Sequence, residues 1–372
     1  MLIEKKIINS KTSINYKYYD YNYENTINHE IKRRDVYKAL NKLFKKNFNT
    51  NVNLIDLYHL GYANNNNNLD PVICTDIDKK YYDRILEKDI DLKIIDQFNH
   101  LSKIYIKLIH LRNDSERNDI KINKLNNKLL KITLNNKESV LIHKTTYNHM
   151  FNRLKIFDPQ INYNSNKTKE KIFLVLFRNH YINNLTGMSA ALPPKYLNFL
   201  KNKYDLNLEL FGSAFNSFSK YYFGLFYDIE KDFGCLGNFF NSKINKGFFY
   251  MNPPFVNWLM NYSFEHILNN LKDASNKITV MVLVPVWKKE DRIHLNKICN
   301  PKLSLEDYKD IFNVDILRGS KFKIYNRFWC KEDFKYLNYF NYQKINYAPS
   351  NIFIVSNHQK NIDMNFFKPK IG

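Results

Sequence analysis

Hydrophobic and polar positions follow two different patterns along this chain. Up to residue 165, apolar side chains recur every three or four positions, which predicts helices with one buried face. This spacing is clearest over Val36–Phe44, Leu101–Leu111 and Met150–Phe157. Polar stretches separate these series, and the asparagine tract Asn64–Asn68 predicts a surface loop. We therefore expect residues 1–165 to form a mostly helical domain.

From residue 166 onwards, short apolar runs typical of buried strands alternate with stretches of helical spacing. The runs are Leu206–Phe211, Phe248–Tyr250, Ile278–Val284 and Ile352–Val355, and the helical stretches are Ile172–Tyr181, Pro194–Leu200 and Trp258–Leu271. Strands that alternate with helices predict an α/β sheet that is largely parallel. Such sheets bind ligands beyond the carboxyl ends of their strands. The turns Phe211–Asn216 and Asn252–Phe255 both follow a strand, so they should meet at one edge.

Charge adds a class of partner to this picture. The 372 residues include 57 Lys+Arg and 36 Asp+Glu, which gives a formal net charge of +21. Such a field favours polyanions, and nucleic acid is the usual one. The excess of Asn, Lys, Ile, Tyr and Phe is also typical of an AT-rich genome, which supplies a second explanation for the charge. The early positive side chains, predicted to lie on polar helix faces and either to be solvated or to steer RNA, are Lys32, Arg33, Arg34, Lys42, Lys45 and Lys46.

Cysteine usage and hydropathy exclude several classes. The four cysteines are far apart in sequence and form no C-x-x-C pair, which argues against a zinc site or a disulfide framework. No apolar run reaches the ~18 residues of a membrane span, and the first residues lack the apolar segment of a signal peptide. We expect a soluble intracellular protein without a metal, in the cytoplasm or nucleus, with the cytoplasm favoured.

Asn252-Pro253-Pro254-Phe255, directly after an apolar run, carries the clearest chemistry. The exocyclic amine of adenine is a poor nucleophile because its lone pair is delocalised into the ring. The side-chain carbonyl of Asn252 and the backbone carbonyl of Pro253 can accept both of its N–H groups. Proline has no N–H and a fixed φ, so the pair offers acceptors on a stiff turn. Phe255 offers a face on which the base can stack. This order of residues is typical of amino-methyltransferases.

A second constellation follows the run that ends near Phe211. Gly212 and Ser213 allow a nucleoside cofactor to approach the backbone, and Asn216 can hydrogen-bond a polar edge. Glu209 can take ribose hydroxyls or pair with a surface lysine.

Further along, Gly234 and Gly237 predict a loop with positive φ, and Gly234 can also touch a cofactor. Trp287 either lines the base pocket or caps the core. His180, His266 and His294 have no partnered carboxylate or cysteine at catalytic spacing, so we expect surface or packing histidines.

The order of these motifs resembles that of the phosphorylated-CTD-interacting-factor-1 family of cap-specific adenosine methyltransferases. That family has the segments A-A-L-P, F-A-S-P-L-N, Y-F-G-x-x-G, N-P-P-F and P-E-W in this order. Their counterparts here are Ala190–Pro193, Phe211–Asn216, Phe233–Gly237, Asn252–Phe255 and Pro285–Trp287. The resemblance covers about residues 170–290 well and the remainder of the C-terminal part loosely.

The resemblance implies a Rossmann-like S-adenosylmethionine-dependent methyltransferase domain over residues 166–372, preceded by a helical, basic, RNA-contacting domain over residues 1–165. The implied activity is N6-methylation of the 2′-O-methyladenosine next to the 7-methylguanosine cap of an mRNA. Asn252, Pro253 and Phe255 would hold the adenine, on a turn stiffened by Pro254. The residues implied beside the cofactor are Glu209, Phe211, Ser213 and Asn216. We further predict Arg178 and Lys220 as phosphate contacts.

Three positions depart from the family pattern. Val286 stands for a glutamate, Leu236 for an arginine and Asn241 for an acidic residue. All three tryptophans lie in the C-terminal half, so we expect no WW module and no docking to a phosphorylated polymerase tail by that route. Two alternative functions stay open at this point: an adenine-N6 methyltransferase acting on internal RNA or DNA, and a non-catalytic RNA-binding homologue.

Overall fold

A computed structural model describes residues 2–8, 11–19, 26–50, 70–73, 75, 79–86, 89–110, 118–183, 190–285, 315–329, 335–345 and 350–358. The chain forms two compact units. The first comprises residues 1–2, 19–185 and 225–232, and the second comprises residues 3–18, 186–224 and 233–372. The helix over residues 166–183, which the sequence analysis assigned to the C-terminal domain, thus belongs to the first unit.

The described elements are numbered in chain order. The helices are α1 (Ile27–Asn47), α2 (Lys79–Leu86), α3 (Leu92–His110), α4 (Lys144–Phe157), α5 (Asn166–Asn183), α6 (Pro194–Tyr204), α7 (Tyr227–Glu230), α8 (Asn257–Asp273) and α9 (Asp315–Arg318). The strands are β1 (Leu2–Ile8), β2 (Ser13–Tyr19), β3 (Ile120–Lys124), β4 (Leu129–Leu134), β5 (Glu138–His143), β6 (Ala190–Ala191), β7 (Leu208–Glu209), β8 (Tyr221–Tyr222), β9 (Ser242–Met251), β10 (Ile278–Pro285), β11 (Lys323–Trp329), β12 (Tyr336–Asn338), β13 (Gln343–Ile345) and β14 (Ser350–Ser356).

In the first unit, helices form where the apolar spacing predicts them. Thr26 caps α1, because its hydroxyl accepts a hydrogen bond from the His29 backbone amide and its own backbone amide donates one to Nδ1 of His29. The buried face of α1 includes Val36, Leu40 and Phe44, four residues apart. Helices α3 and α4 form at the next two series, apart from Leu111, which lies outside the described residues together with the asparagine tract. The predicted buried face of α3 is wrong, because Ile104 and Leu108 are exposed and the buried face includes Phe98, Ile106 and Ile109 instead.

The first unit also contains strands, which corrects the expectation of a mostly helical segment. Strands β3, β4 and β5 form an antiparallel sheet in this order. In β4, Leu130, Ile132 and Leu134 are buried and alternate with half-exposed residues, the period expected of a strand with one covered face. The turn between β4 and β5 contains Asn135 and Asn136 at φ 49° and 55°, a conformation that asparagine adopts more readily than most residues.

A buried ion network links distant parts of the first unit. Arg178 donates to both carboxylate oxygens of Glu30, at 2.9 and 2.6 Å, and to those of Asp228, at 2.6 and 2.7 Å. Arg33 donates to Glu30 at 2.6 Å and to Asp70 at 2.9 Å. Arg33 is fully buried, so its predicted place on a polar helix face is wrong.

The second unit is built on a mixed sheet. Its main path runs β1-β2-β9-β10-β14-β11, and β7 joins β9 and carries β8 on its other side. Strands β8, β7, β9 and β10 are parallel to their neighbours in this series. Strand β14 is antiparallel to both β10 and β11, and β2 is antiparallel to β9. The α/β fold is confirmed, and the expected parallel sheet is its central part, flanked by antiparallel strands.

The strand order places a switch point between β7 and β9. From β7 the chain moves outward to β8, and it then returns to the opposite side of β7 to form β9 and β10. In open α/β sheets, ligands bind beyond the carboxyl ends of the strands at such a point. Every residue of β10 is buried, as expected of a central strand that is covered on both faces.

One face of this sheet packs into an apolar layer with α6. Phe248 and Tyr250 of β9 lie in this layer together with Leu197 and Leu200 of α6. Among the described helices, none is both long and apolar enough to cross a membrane. The described residues also include no group of His, Cys, Asp and Glu side chains that could hold a metal ion.

Candidate active site

Two turns leave the sheet side by side at the switch point. Strand β7 pairs in parallel with the end of β9, with Glu209 opposite Tyr250. The backbone amide of Leu210 donates to the Tyr250 carbonyl at 2.8 Å, which extends this pairing by one residue. The turn Phe211–Asn216 and the turn Asn252–Phe255 therefore start from adjacent carboxyl ends, as the sequence predicted.

Asn252 presents an unsatisfied acceptor at this edge. Its side-chain oxygen is buried and has no hydrogen-bond partner, although the residue as a whole is partly exposed. Pro253 is buried and, among the described residues, its carbonyl accepts no hydrogen bond, whereas the Pro254 carbonyl accepts one from the Val256 amide at 2.7 Å. Buried acceptors are normally paired. Two neighbouring acceptors thus remain available to a molecule with two N–H groups.

Phe255 is fixed by aromatic packing. Its ring meets that of Tyr336 edge-on, with centroids 5.8 Å apart and planes at 77°. Tyr336 is fully buried, and its hydroxyl lies 2.6 Å from the Ser350 hydroxyl, which fixes the ring. Phe255 itself is only partly buried, so part of its surface stays available for contact with a base.

Glu209 is a structural support of the segment that connects β7 to β8. It is 2% exposed, and one of its oxygens accepts hydrogen bonds from the Ser217 hydroxyl at 2.9 Å and from the amides of Phe218 and Ser219 at 2.7 Å each. This burial excludes the surface ion pair considered for Glu209. The carboxylate holds residues 217–219 close to the end of β7.

Ser213 and Asn216 close the turn after β7. The Asn216 side-chain oxygen accepts from the Ser213 amide at 2.8 Å and from the Ser213 hydroxyl at 2.9 Å, and the Ser213 carbonyl accepts from the Asn216 amide at 3.2 Å. The side-chain nitrogen of Asn216 makes no hydrogen bond to a described residue. This nitrogen is therefore a free donor at the edge of the turn.

Gly212 and Phe211 are positioned by the protein itself. A Cβ atom on Gly212 would lie 3.1 Å from the Cβ of Tyr222 and 3.2 Å from that of Ser217, so glycine is required by internal packing. The Phe211 ring packs edge-on against Phe239 at a centroid distance of 5.4 Å. The backbone after β7 is held tightly before any ligand binds.

The glycine loop after β8 adopts the predicted backbone. Gly234 and Gly237 have φ values of 93° and 92°, which confirms that both need positive φ. The Gly234 carbonyl accepts from the Tyr222 amide at 3.2 Å, so the loop continues the sheet beyond β8. Leu236, where the related family has an arginine, is buried, and the side-chain oxygen of Asn241 is buried without a partner.

The predicted phosphate contacts are not brought together. Arg178 is fully buried in the first unit and is engaged by Glu30 and Asp228, so its prediction as a phosphate contact is wrong. Lys220 is exposed in the second unit, with its amine 5.3 Å from the centre of the Tyr221 ring. Trp287 and Val286 lie outside the described residues.

The described histidines have the structural roles that were expected of them. His266 is half-buried, its Nε2 lies 3.0 Å from the Ser242 carbonyl, and burial lowers its pKa. Burial, followed by the charge of Lys38, also lowers the pKa of His180. His294 lies outside the described residues.

Sequence reasoning missed a group of buried tyrosines below the Asn252 turn. Tyr250, Tyr336 and Tyr339 are each at most 1% exposed. Tyr250 precedes Asn252 by two positions, at the end of β9, a signal that the sequence did contain. Tyr336 and Tyr339 follow a long gap in sequence, and no local pattern connects them to this site.

Two comparisons with known proteins cover the region of both turns. Residues 148–306 match the family model described as the phosphorylated CTD interacting factor 1 WW domain. Over 103 residues the chain is 27% identical to the mouse (Mus musculus) and human (Homo sapiens) proteins named mRNA (2′-O-methyladenosine-N(6)-)-methyltransferase. This segment is 28% of the present chain and spans only 15% of the length of each relative.

The fold and the site define an α/β protein of a kind consistent with a methyltransferase, and both relatives are named as methyltransferases. The matched region, which is less than half of the chain, is similar to the phosphorylated CTD interacting factor 1 family.

Proposed function

We propose that this protein is an S-adenosylmethionine-dependent methyltransferase that acts on N6 of the 2′-O-methyladenosine adjacent to the 7-methylguanosine cap of mRNA. The single observation that carries the proposal is the buried side-chain oxygen of Asn252 beside the Pro253 carbonyl, neither of which accepts a hydrogen bond from a described residue. The names of the relatives supply the 2′-O-methyladenosine of an mRNA as substrate.

The chemistry of the amine matches this pair of acceptors. An exocyclic amine offers two N–H donors, and the two oxygens accept one each. Holding both hydrogens there directs the nitrogen lone pair away from the acceptors and towards a bound methyl donor. The rate enhancement then comes from positioning, since a fixed near-attack geometry removes much of the entropic cost of a bimolecular step.

The residues after β7 fit a cofactor of this type. They lie at the switch point of a sheet whose order around β7 supports a Rossmann-like domain, and Asn216 offers a free amide donor there. Ser213, Gly212 and Phe211 form the turn that would contact the cofactor, with Gly234 on the neighbouring loop. Glu209 would act by holding residues 217–219 in place. S-adenosylmethionine, when bound, supplies an electrophilic methyl group on a positively charged sulfur.

The basic charge and the type of substrate agree. A net charge of +21 attracts the phosphates of RNA. The first transcribed nucleotide is unpaired, so its base can enter a pocket without the cost of leaving a duplex, a few kcal/mol in general. Capped mRNA is accordingly the partner that we propose, with no membrane and no metal involved, and with the cytoplasm or nucleus as location.

Methyl transfer from labelled S-adenosylmethionine to matched short RNAs tests the proposal. The substrates are a capped RNA with adenosine first, the same RNA uncapped, and a capped RNA with guanosine first. We expect label only in the capped adenosine RNA, and its loss with the Asn252→Ala protein.

Each other outcome leads to a different function. Equal labelling of the uncapped RNA would replace the proposal with a broader adenine-N6 methyltransferase. No labelling of any RNA, together with no binding of S-adenosylmethionine, would replace it with a non-catalytic RNA-binding homologue.

A further inference from the structure

A second unsatisfied polar group lies next to Asn252. The hydroxyl of Tyr250 is buried and, like the Asn252 side-chain oxygen, has no hydrogen-bond partner among the described residues. Tyr250 is the last residue but one of β9, and Asn252 is the first residue after this strand. Two unpaired polar groups therefore stand two positions apart at the strand end where the candidate site begins.

The surroundings of Tyr250 make its hydroxyl unusual. Tyr250, Tyr336 and Tyr339 are all buried and lie near one another. The hydroxyl of Tyr336 pairs with Ser350 and that of Tyr339 donates to the Leu192 carbonyl, each at 2.6 Å. The layer thus satisfies these two neighbours of Tyr250, but not Tyr250 itself.

The position of Tyr250 connects it to the base-stacking residue. Tyr250 and Tyr336 belong to the same apolar layer, and Phe255 packs against this layer through its edge-on contact with Tyr336. Burial, then the nearby Tyr336, Glu209 and Tyr339, raises the pKa of Tyr250 well above its ordinary value. The hydroxyl therefore stays protonated at neutral pH and can donate a hydrogen bond.

Leaving this hydroxyl unpaired is costly for the fold alone. A buried polar group without a partner costs about 1–3 kcal/mol, and a phenylalanine would fill the same space without that cost. Adenine offers what the hydroxyl lacks, because acceptor nitrogens (N1 and N7) stand on both sides of its N6 amine. Guanine has the same acceptor at N7 but carries a hydrogen on N1 and an oxygen in place of the amine, so only a hydrogen bond donated to N1 distinguishes the two bases.

We propose that the Tyr250 hydroxyl donates a hydrogen bond to N1 of the adenine and is a specificity-determining residue for adenine. Asn252 and Pro253 would then recognise the amine as a donor, and Tyr250 the neighbouring nitrogen as an acceptor. This inference rests on the proposed function, since it concerns the base that the same site holds.

The test combines Tyr250→Phe with RNAs in which the first adenosine is replaced by 1-deazaadenosine or 7-deazaadenosine. Each analogue removes one ring acceptor and keeps the amine. For the wild-type protein, the 1-deaza analogue should lower kcat/KM by roughly 3- to 12-fold, the value of one hydrogen bond. Tyr250→Phe should lower kcat/KM for adenosine by a similar factor and show no further loss with that analogue.

Tyr147→Phe is the matched control. Tyr147 lies on α4 in the first unit, is fully buried, and also has a hydroxyl without a partner. Removing that hydroxyl should leave methyl transfer unchanged, and both variants should be at least as stable to heat as the wild type. If Tyr250→Phe retains full activity, or if the 1-deaza analogue reduces its activity as strongly as that of the wild type, the proposal is wrong.

Failure of this inference is distinguishable from failure of the proposed function. Activity in the wild type, loss in Asn252→Ala and full activity in Tyr250→Phe would reject only the role of Tyr250. If no RNA is methylated, wild type and Tyr250→Phe are compared instead by equilibrium binding of the adenosine and deazaadenosine RNAs. A loss of affinity for the 1-deazaadenosine RNA in the wild type but not in Tyr250→Phe would support recognition by Tyr250. An equal loss in both proteins would reject it.

Discussion

At the scale of single residues, Asn252 shows how a cost to the fold can serve a site. An unpaired buried carbonyl destabilises the folded protein by about 1–3 kcal/mol, and only a partner that binds there can recover this energy. We expect Asn252→Ala to reduce kcat/KM at least ~100-fold, the usual effect of losing one positioned polar contact to the reacting group. The free energy of unfolding, measured in urea, should not decrease by more than ~0.5 kcal/mol.

Asn15→Ala is the control for this prediction. Asn15 lies on β2, and its side-chain oxygen is also buried without a partner. Its loss should leave both activity and stability nearly unchanged. A large drop in the stability of Asn252→Ala would instead mean that the oxygen supports the fold, and the interpretation of Asn252 would have to change.

Glu209 is predicted to act in the opposite way, through the fold. Three donors converge on one of its oxygens in a buried setting. Glu209→Gln keeps an acceptor but removes the charge that strengthens these bonds, so we expect a loss of about 1–3 kcal/mol in urea unfolding and a higher KM for S-adenosylmethionine. Glu4→Gln, which removes an exposed ion pair with Lys17, should cost at most ~0.5 kcal/mol. Equal stability of the two variants would refute the support role.

At the scale of elements, the loop after β8 depends on glycine. Gly237 has a φ of 92°, and a Cβ atom there would lie 3.1 Å from the Cβ of Tyr18. We expect Gly237→Ala to lower the free energy of unfolding by about 1–3 kcal/mol, because strained backbone and crowding add. Gly319→Ala, at an exposed glycine without positive φ, should change it by less than ~1 kcal/mol. A similar change in the free energy of unfolding for both variants would show that the loop can rearrange to accept a side chain at position 237.

Local patterns in the sequence predicted much of these elements. The continuous apolar run of β10 and the helical spacing of α1 each reflect contacts with one layer of the core, so their period is readable. Strands β3 to β5 also have a signal in the sequence, because buried and half-exposed residues alternate along β4, just before the turn at Asn135-Asn136. Apolar residues at helical spacing in the same part of the chain obscured this alternation. The Asn252 turn was predictable because its chemistry lies within four consecutive residues.

The remaining features depend on partners far away in sequence. Arg178 meets Glu30 across 148 positions, and Tyr336 reaches Phe255 only through the folded layer. A charged side chain looks the same in sequence whether water or a carboxylate surrounds it. The burial of Arg178 and Arg33 could therefore not be read from their neighbours, and both were assigned to the surface.

At the scale of the whole molecule, the buried network predicts how stability depends on pH. Burial raises the pKa of Glu30, but the charges of Arg178 and Arg33 and the hydrogen bonds from Arg178 and Tyr181 outweigh it, so the pKa lies well below its ordinary value. A carboxylate with a lowered pKa in the folded state stabilises above its unfolded pKa. This contribution is lost as pH falls below about 4.3, by up to ~1.4 kcal/mol per pH unit.

Urea unfolding between pH 5 and pH 2.5 measures this dependence. The wild type should lose stability steeply over this window, and Glu30→Gln should be less stable at pH 7 but show a shallower decline. Glu265→Gln, at an exposed carboxylate, should keep the wild-type slope. Parallel curves for wild type and Glu30→Gln would assign acid sensitivity to other groups.

The net positive charge of the molecule leads to a prediction about RNA binding. It distinguishes attraction of RNA by the total charge from contacts between particular lysines and RNA phosphates. Lys42, Lys45 and Lys46 lie on the last turns of α1 and, among the described residues, form no ion pair. If they contact phosphates, replacing all three by glutamine should reduce the slope of log affinity against log salt by about 2, since each contact on a single strand contributes ~0.7. Filter binding of a short RNA at several salt concentrations measures this slope.

Lys11, Lys17 and Lys121 provide a control with the same change in net charge. Each of them already pairs with a carboxylate, of Asp205, Glu4 and Asp119 respectively. RNA binding should therefore release fewer counterions at these positions. A triple glutamine variant at these positions should leave the slope nearly unchanged. If both triple variants reduced the slope equally, the attraction would come from total charge, and α1 would have no specific part in holding RNA. A reduction confined to the α1 variant would place phosphate contacts on the first unit and would account for the absence of balancing carboxylates along this part of the helix.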